Sequence, residues 1–310
     1  MKPPKQSRRD FFKVAGAAGM ALASSVWQGG PAMAVEKRNF QISLAGWSLH
    51  RSIGEGEGKI PMLDMPRLAR QEFGIGAIEL VNQMLPASDT AYLDKLAKNA
   101  ADQDVKILLT MVDGEGAIGD PDADKRADAV LRHQKWVDVT EYLGGQTIRM
   151  NWVGAANDVA SRPAELKAFI DRSVPEFRKL CDYGDSKNIN VVIENHGGAS
   201  SEPGALIQLV VAVDHPRFGT LPDFGNFPDH VDKYLATDLM MNFAKAVSAK
   251  CHDFDDETGL ETTMDYERLM AIVVDQHGYH GHVGIEFEGN RLSEFDGIKA
   301  CKKLLETLRG

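Results

Sequence analysis

Four side chains that can ligate a metal ion or carry a proton recur at nearly even intervals in the second half of the chain. Glu194 closes the apolar run Val191-Val192-Ile193, Asp223 follows Leu221-Pro222, His252 follows Lys250-Cys251, and Glu286 follows Gly284-Ile285. The intervals are 29, 29 and 34 residues, about one strand-helix unit at each step. Such spacing predicts four groups at the same level of four successive strands. Three carboxylates sharing one pocket repel and raise one another's pKa, and a divalent cation removes that conflict. Oxygen donors with one imidazole suit Mn2+, Mg2+ or Co2+, with Zn2+ as an alternative. The expectation is one divalent metal ion held by Glu194, Asp223, His252 and Glu286.

The elements that must position these groups follow from the apolar patterning. Strands are expected at 41–47, 77–81, 105–111, 147–151, 190–194, 218–223, 246–252 and 282–286, each a short apolar run. Helical patterns fill the gaps at 65–72, 91–103, 123–143, 163–187, 203–213, 233–243, 265–276 and 293–308. Pro203 suits a first helical turn, and Gly144-Gly145 and Gly278 suit helix ends. Eight alternating strand-helix units with unalternating, buried strands predict one α/β domain, a (β/α)8 TIM barrel over residues 35–310. An open doubly wound sheet is the alternative. In a barrel the C-terminal strand ends carry the chemistry, and all four candidate ligands occupy such ends. The glycine-rich, acidic Gly54-Glu55-Gly56-Glu57-Gly58 lacks a Lys-Ser/Thr pair, so it reads as a loop over the barrel mouth rather than a phosphate loop.

Residues 1–34 read as a leader. Ser7-Arg8-Arg9-Asp10-Phe11-Phe12-Lys13 is a twin-arginine signal, followed by an apolar run from Val14 to Val26 and the small-x-small site Ala32-Met33-Ala34. That run is shorter than the ~20 residues of a spanning helix, so stable membrane insertion is not expected. The expected partner is the twin-arginine export machinery, and the destination is the periplasm or the exterior. The whole chain carries a formal charge of −10; the leader's five Lys/Arg and one Asp make +4, which leaves −14 on the remainder. An acidic surface repels phosphate backbones and excludes nucleic acid as a partner. Cys181, Cys251 and Cys301 form no disulfide framework and are expected to be buried free thiols.

Several segments resemble a known family. Ile193-Glu194-Asn195-His196, Pro222-Asp223-Phe224-Gly225-Asn226, Met264-Asp265-Tyr266, Gly278-Tyr279-His280-Gly281 and Gly284-Ile285-Glu286-Phe287-Glu288-Gly289, with Ala77-Ile78-Glu79-Leu80 earlier, resemble the xylose isomerase-like TIM barrels of the sugar isomerase/epimerase superfamily. The resemblance implies that Glu194, Asp223, His252 and Glu286 bind one divalent metal and that the two glutamates form an acid/base pair. One would remove a proton next to a carbonyl, and the other would return it on the opposite face. The chain departs from the pattern in two places. Asn226 stands where the epimerases usually place a histidine, and an acidic run, Asp255-Asp256-Glu257, stands where they place an arginine. A His-x-Lys-Asp alignment puts Lys250 rather than His252 at the seventh-strand position.

Around this centre the candidate substrate-binding residues are Trp47, His50, Asn151, Trp152, His196, Asn226, Lys250 and Glu288. An aromatic face stacks on sugar C–H groups while amides read hydroxyls. His277, His280 and His282 lie at or below the opening of the eighth strand and are expected at the stability face. His133 and His215 are expected at the surface. The function expected is a metal-dependent sugar isomerase or epimerase. One alternative is a metal-dependent lyase or hydrolase acting on keto-glycosides, and an alternative of another class is a non-catalytic sugar-binding barrel. The partners are a small-molecule sugar or glycoside and, as an open alternative, a second copy of the chain.

Overall fold

The computed structural model describes residues 37–309, so the leader read at 1–34 lies outside the described residues. Eight strands alternate with eight helices: β1 Gln41–Ala45, α1 Met65–Gln71, β2 Ala77–Val81, α2 Thr90–Asp102, β3 Lys106–Val112, α3 Ala123–Tyr142, β4 Thr147–Met150 and α4 Pro163–Ser186. The second half continues with β5 Asn190–Glu194, α5 Pro203–Val213, β6 Phe218–Leu221, α6 Lys233–Met241, β7 Val247–Cys251, α7 Tyr266–Met270, β8 His282–Phe287 and α8 Glu294–Arg309. Helix α7 runs on into a π-helical segment, Ala271–Gln276. Several boundaries have a local cause. Asp89, Asp122, Asp232 and Asp265 cap α2, α3, α6 and α7 with their carboxylates. Gly144 and Gly278 take φ of 79° and 63° just past helix ends, a conformation that glycine adopts without Cβ strain.

All the sheet pairings are parallel, in the order β6-β5-β4-β3-β2-β1-β8-β7. Bridges at Thr220–Ala244 and Asp223–Ser248 join the outer pair and close the ring. The fold is thus the expected TIM barrel. Side chains alternate across each strand. Val191 and Ile193 of β5 point out into the layer between sheet and helices, and Val192 points in. The interior is packed by Ala45, Val81, Leu109, Met111, Val192, Leu221 and Ala246, which leaves the top of the barrel for polar groups. Among the described residues no helix is long and apolar enough to cross a membrane.

Candidate active site

The charged cluster follows from register. In a parallel pair, registered residues point to the same side, and Lys250 is registered with Glu286. Glu194 is registered with Leu221, so Asp223, two residues on, projects over the same interior. Ligand oxygens of Glu194, Asp223 and Glu286 lie within 4.8 Å of one another, and all three residues are buried. Asp223 is held by its neighbours: Asn195 accepts from its backbone N–H at 2.7 Å and donates to its carbonyl at 2.9 Å. The backbone N–H groups of Gly225 and Asn226 donate to Asp223 Oδ1, each at 2.9 Å. Ser248 Oγ lies 2.7 Å from Asp223 Oδ2 and 3.2 Å from Glu286 Oε2.

Two buried cations oppose these carboxylates. Arg149 on β4 places Nε 2.6 Å from Glu194 Oε2 and Nη1 2.7 Å from Asp113 Oδ1. Lys250 Nζ lies 3.0 Å from Glu286 Oε1, 3.4 Å from Glu288 Oε2 and 3.9 Å from Asp223 Oδ2. It donates to Asn226 Oδ1 at 3.0 Å, while Asn226 Nδ2 donates to Glu194 Oε1 at 2.7 Å. Below them Glu79 accepts from Ser43 Oγ at 2.6 Å. Gly284 gives that carboxylate room, since a Cβ there would lie 2.5 Å from Glu79 Oε1.

Burial in low dielectric penalises the charged form of each acid. It pushes Asp223 up to about 8 against the pull of Lys250, Glu79 up to about 7 against the Ser43 hydrogen bond, and Glu194 upward against Arg149. Burial would lower Lys250, but Asp223, Glu286, Glu194 and Glu288 together hold it above its ordinary value. Arg149 is likewise raised against its own burial, by Glu194 and Asp113.

A divalent cation fits this donor set on two grounds. Four buried acids (Glu79, Glu194, Asp223, Glu286) face two buried cations (Arg149, Lys250), which leaves −2 when all are ionised. Glu194 Oε2, though close to Arg149 Nε, receives no hydrogen bond and is sealed from solvent, so it retains lone pairs for a metal.

His252 lies outside the group of three carboxylates. It stands two residues beyond Lys250, just past the end of β7, about 7 Å farther along the strand direction at 3.3 Å per residue. Its ring lies beside Gly225, where a Cβ would approach Nε2 to 3.1 Å. The β7 side chain that reaches the carboxylates is therefore Lys250.

The remaining candidates divide. Asn151 donates to Asp113 Oδ1 at 2.7 Å, and its own Oδ1 and Asp113 Oδ2 are buried without a hydrogen bond. Trp47 packs at the barrel mouth against the interior cluster, and His50 bonds the Trp47 carbonyl at 2.7 Å. His196 is exposed above Glu194, and Glu288 stands at the rim beside Lys250. Trp152 is a correction: it faces away from the barrel, stacked on Phe169 at 4.4 Å and donating to Ser173. His133 is a second correction, because it is buried on the inner face of α3 and bonds the Ala129 carbonyl. Cys181, Cys251 and Cys301 are buried and free. Among the described residues His277, His280 and His282 form no metal cluster; His277 pairs with Asp238 and His280 bonds Asn39. The residues that the sequence reading missed are Arg149, Asp113, Ser248 and the inward role of Glu79.

Residues 67–309 match the family described as Xylose isomerase-like TIM barrel. The chain belongs to that family. Similar solved structures include a D-tagatose 3-epimerase-like protein, with TM-score 0.68, 16% identity, and 87% of this chain and 97% of the other covered. A probable 3-DHS dehydratase, AsbF, involved in petrobactin synthesis in Bacillus anthracis, is similar with TM-score 0.65, 16% identity and 86% and 99% coverage. A Xylose isomerase-like TIM barrel protein from Mycobacterium smegmatis in complex with magnesium gives TM-score 0.62, 16% identity and 87% and 95% coverage. At these identities the likeness establishes the fold. A comparison with curated proteins finds no match.

Proposed function

We propose that the protein is a sugar isomerase or epimerase that moves a proton on the carbon next to a carbonyl, with Glu194 and Glu286 as the acid/base pair. One observation carries this reading: two buried glutamates from β5 and β8 bring oxygens within 4.8 Å of each other and of Asp223, at the barrel end where catalytic groups collect. Burial raises Glu194 against the pull of Arg149, a direction that favours a group taking up a proton. Asn226 fixes the Glu194 carboxylate by donating to its Oε1 at 2.7 Å. Glu194, Asp223 and Glu286 would hold a divalent ion. When bound, such an ion supplies Lewis-acid polarisation of the carbonyl oxygen. The epimerase-like neighbour supports the substrate class. From the twin-arginine pattern read in residues 1–34 of the sequence we also propose that the enzyme works in the periplasm or outside the cell.

A second reading keeps the proton abstraction and adds loss of a leaving group, as in a lyase acting on keto-glycosides. Lys250 favours it, because its ammonium beside Glu286 can neutralise a departing oxygen; the dehydratase among the neighbours is consistent with such an elimination. Incubation with free ketoses and with 3-keto-glycosides in deuterated water, with Mn2+ or Mg2+ added, separates the two. Exchange of the alpha proton without release of an aglycone supports the isomerase, and release supports the lyase. Glu194→Gln and Glu286→Gln each lower the exchange rate by about 10²- to 10⁴-fold. No exchange on any substrate sinks both readings and leaves a binding barrel.

A further inference from the structure

The feature of this site that the proton transfer itself does not use is the lysine inside it. Lys250 is 2% exposed, and its stem passes Gly225, where a Cβ would come within 2.9 Å of Cγ. The glycine thus leaves a slot that points the ammonium at the carboxylates. Register with Glu286 fixes the start of the side chain, but four rotatable bonds leave its end free to swing. Arg149 differs, because its planar guanidinium is gripped between Glu194 and Asp113.

We propose that the Lys250 ammonium is a built-in cation that competes with a divalent ion for Glu286 and Asp223, and that Glu288 is the seat to which it withdraws when the ion binds. The inference rests on the reading of Glu194, Asp223 and Glu286 as a cation site. Nζ lies 3.0 Å from Glu286 Oε1 and 3.9 Å from Asp223 Oδ2, two of the three candidate ligands. A metal ion and an ammonium cannot both lean on those oxygens without strong like-charge repulsion. Among the described residues the other carboxylate paired with Nζ is Glu288, at 3.4 Å. That side chain is 34% exposed at the rim, so it can receive the ammonium without burying a further charge.

The arrangement has a consequence for the metal-free protein. With Lys250 in place the buried carboxylates keep a partner and the barrel top stays assembled. The metal then binds reversibly, against a competitor.

The test is a Mn2+ titration by calorimetry of the purified full chain, the Lys250→Met variant and the Asp223→Asn variant. Lys250→Met is expected to bind Mn2+ at least tenfold more tightly than the unaltered protein, equivalent to about 1.4 kcal/mol, and Asp223→Asn at least tenfold more weakly. If Lys250→Met binds no more tightly while Asp223→Asn loses affinity, the cation site stands and the lysine inference falls. If no protein binds Mn2+, both fall. Should Lys250→Met fail to fold, a crystal structure of the unaltered chain soaked in Mn2+ decides: Nζ withdrawn from Glu286 and paired with Glu288 supports the inference. A bound ion with Nζ still on Glu286 overturns it.

Discussion

Arg149→Met removes the hinge of the buried charge network while keeping most of the side-chain volume. Arg149 is fully buried and contacts Glu194 at 2.6 Å and Asp113 at 2.7 Å. Its loss leaves Glu194, also fully buried, facing Asp223 and Glu286 with only Lys250 to balance three acids. Removing one partner of a buried pair costs roughly 3–5 kcal/mol, because the other charge stays behind uncompensated. Natural domains hold only about 5–15 kcal/mol in total, so the expected fall in midpoint is roughly 6–20 °C at about 2–4 °C per kcal/mol. Thermal unfolding followed by circular dichroism, in EDTA at pH 8, measures the midpoint, and urea unfolding under the same conditions measures the free energy. The Glu194→Gln change should relieve part of the loss: the double variant is expected to be more stable than additivity predicts by about 1–3 kcal/mol. A single variant within about 1 kcal/mol of the unaltered protein, or strict additivity, would refute the claim that Arg149 and Glu194 are a coupled buried pair.

Two further outcomes can be checked with the same preparation. In EDTA the protein is expected to lose stability as pH rises from about 4.5 to about 8, because Glu79 and Asp223, raised to about 7 and about 8, keep protons that the unfolded chain has already released. The slope is about 1.4 kcal/mol per pH unit for each such group; Glu79→Gln should flatten it below pH 7, and a rising curve across that window would contradict the assignment. Trp152→Phe removes the bond to Ser173 but keeps an aromatic ring on Phe169. It is expected to cost about 1 kcal/mol while leaving kcat/KM within twofold, and a large loss in kcat/KM with unchanged stability would return Trp152 to the pocket.

Most of the architecture was legible because the fold writes it in local chemistry. Short buried runs such as Val191-Val192-Ile193 and aspartates such as Asp122 and Asp232 before helices mark element ends within a residue or two. Glu194, Asp223 and Glu286 were legible as strand-end carboxylates. The choice between His252 and Lys250 was not, because it depends on where β7 stands relative to β8, and the registered pair Lys250–Glu286 is a long-range fact. Trp152 was a misreading that strand parity could have prevented. It shares parity with Ile148 and Met150, which face the helices, while Arg149 shares parity with Asn151 and faces the site. Arg149 had its own signal, a charge in the middle of a buried run. His133 lies four residues from Ala129 and Val137 on one helix face, a spacing that marks an inner position.

The network also explains how one polar cluster can be both rigid and adjustable. Asn82 and Asn195, each the first residue after a strand, clamp the backbone of the aspartate after the next strand, Asp113 and Asp223 respectively. Arg149 ties Asp113 to Glu194. Asn226 then links Glu194 to Lys250, and Lys250 reaches Glu286. The two proposed acid/base groups are therefore joined through a single amide and a single ammonium. Every member but Lys250 is short or gripped at two points, so the oxygens are preorganised before substrate arrives. Lys250 contacts both Asn226 and Glu288 through one ammonium, so it sits between the amide and the rim. The amide of Asn226 thus stands between the carboxylate on β5 and the ammonium on β7.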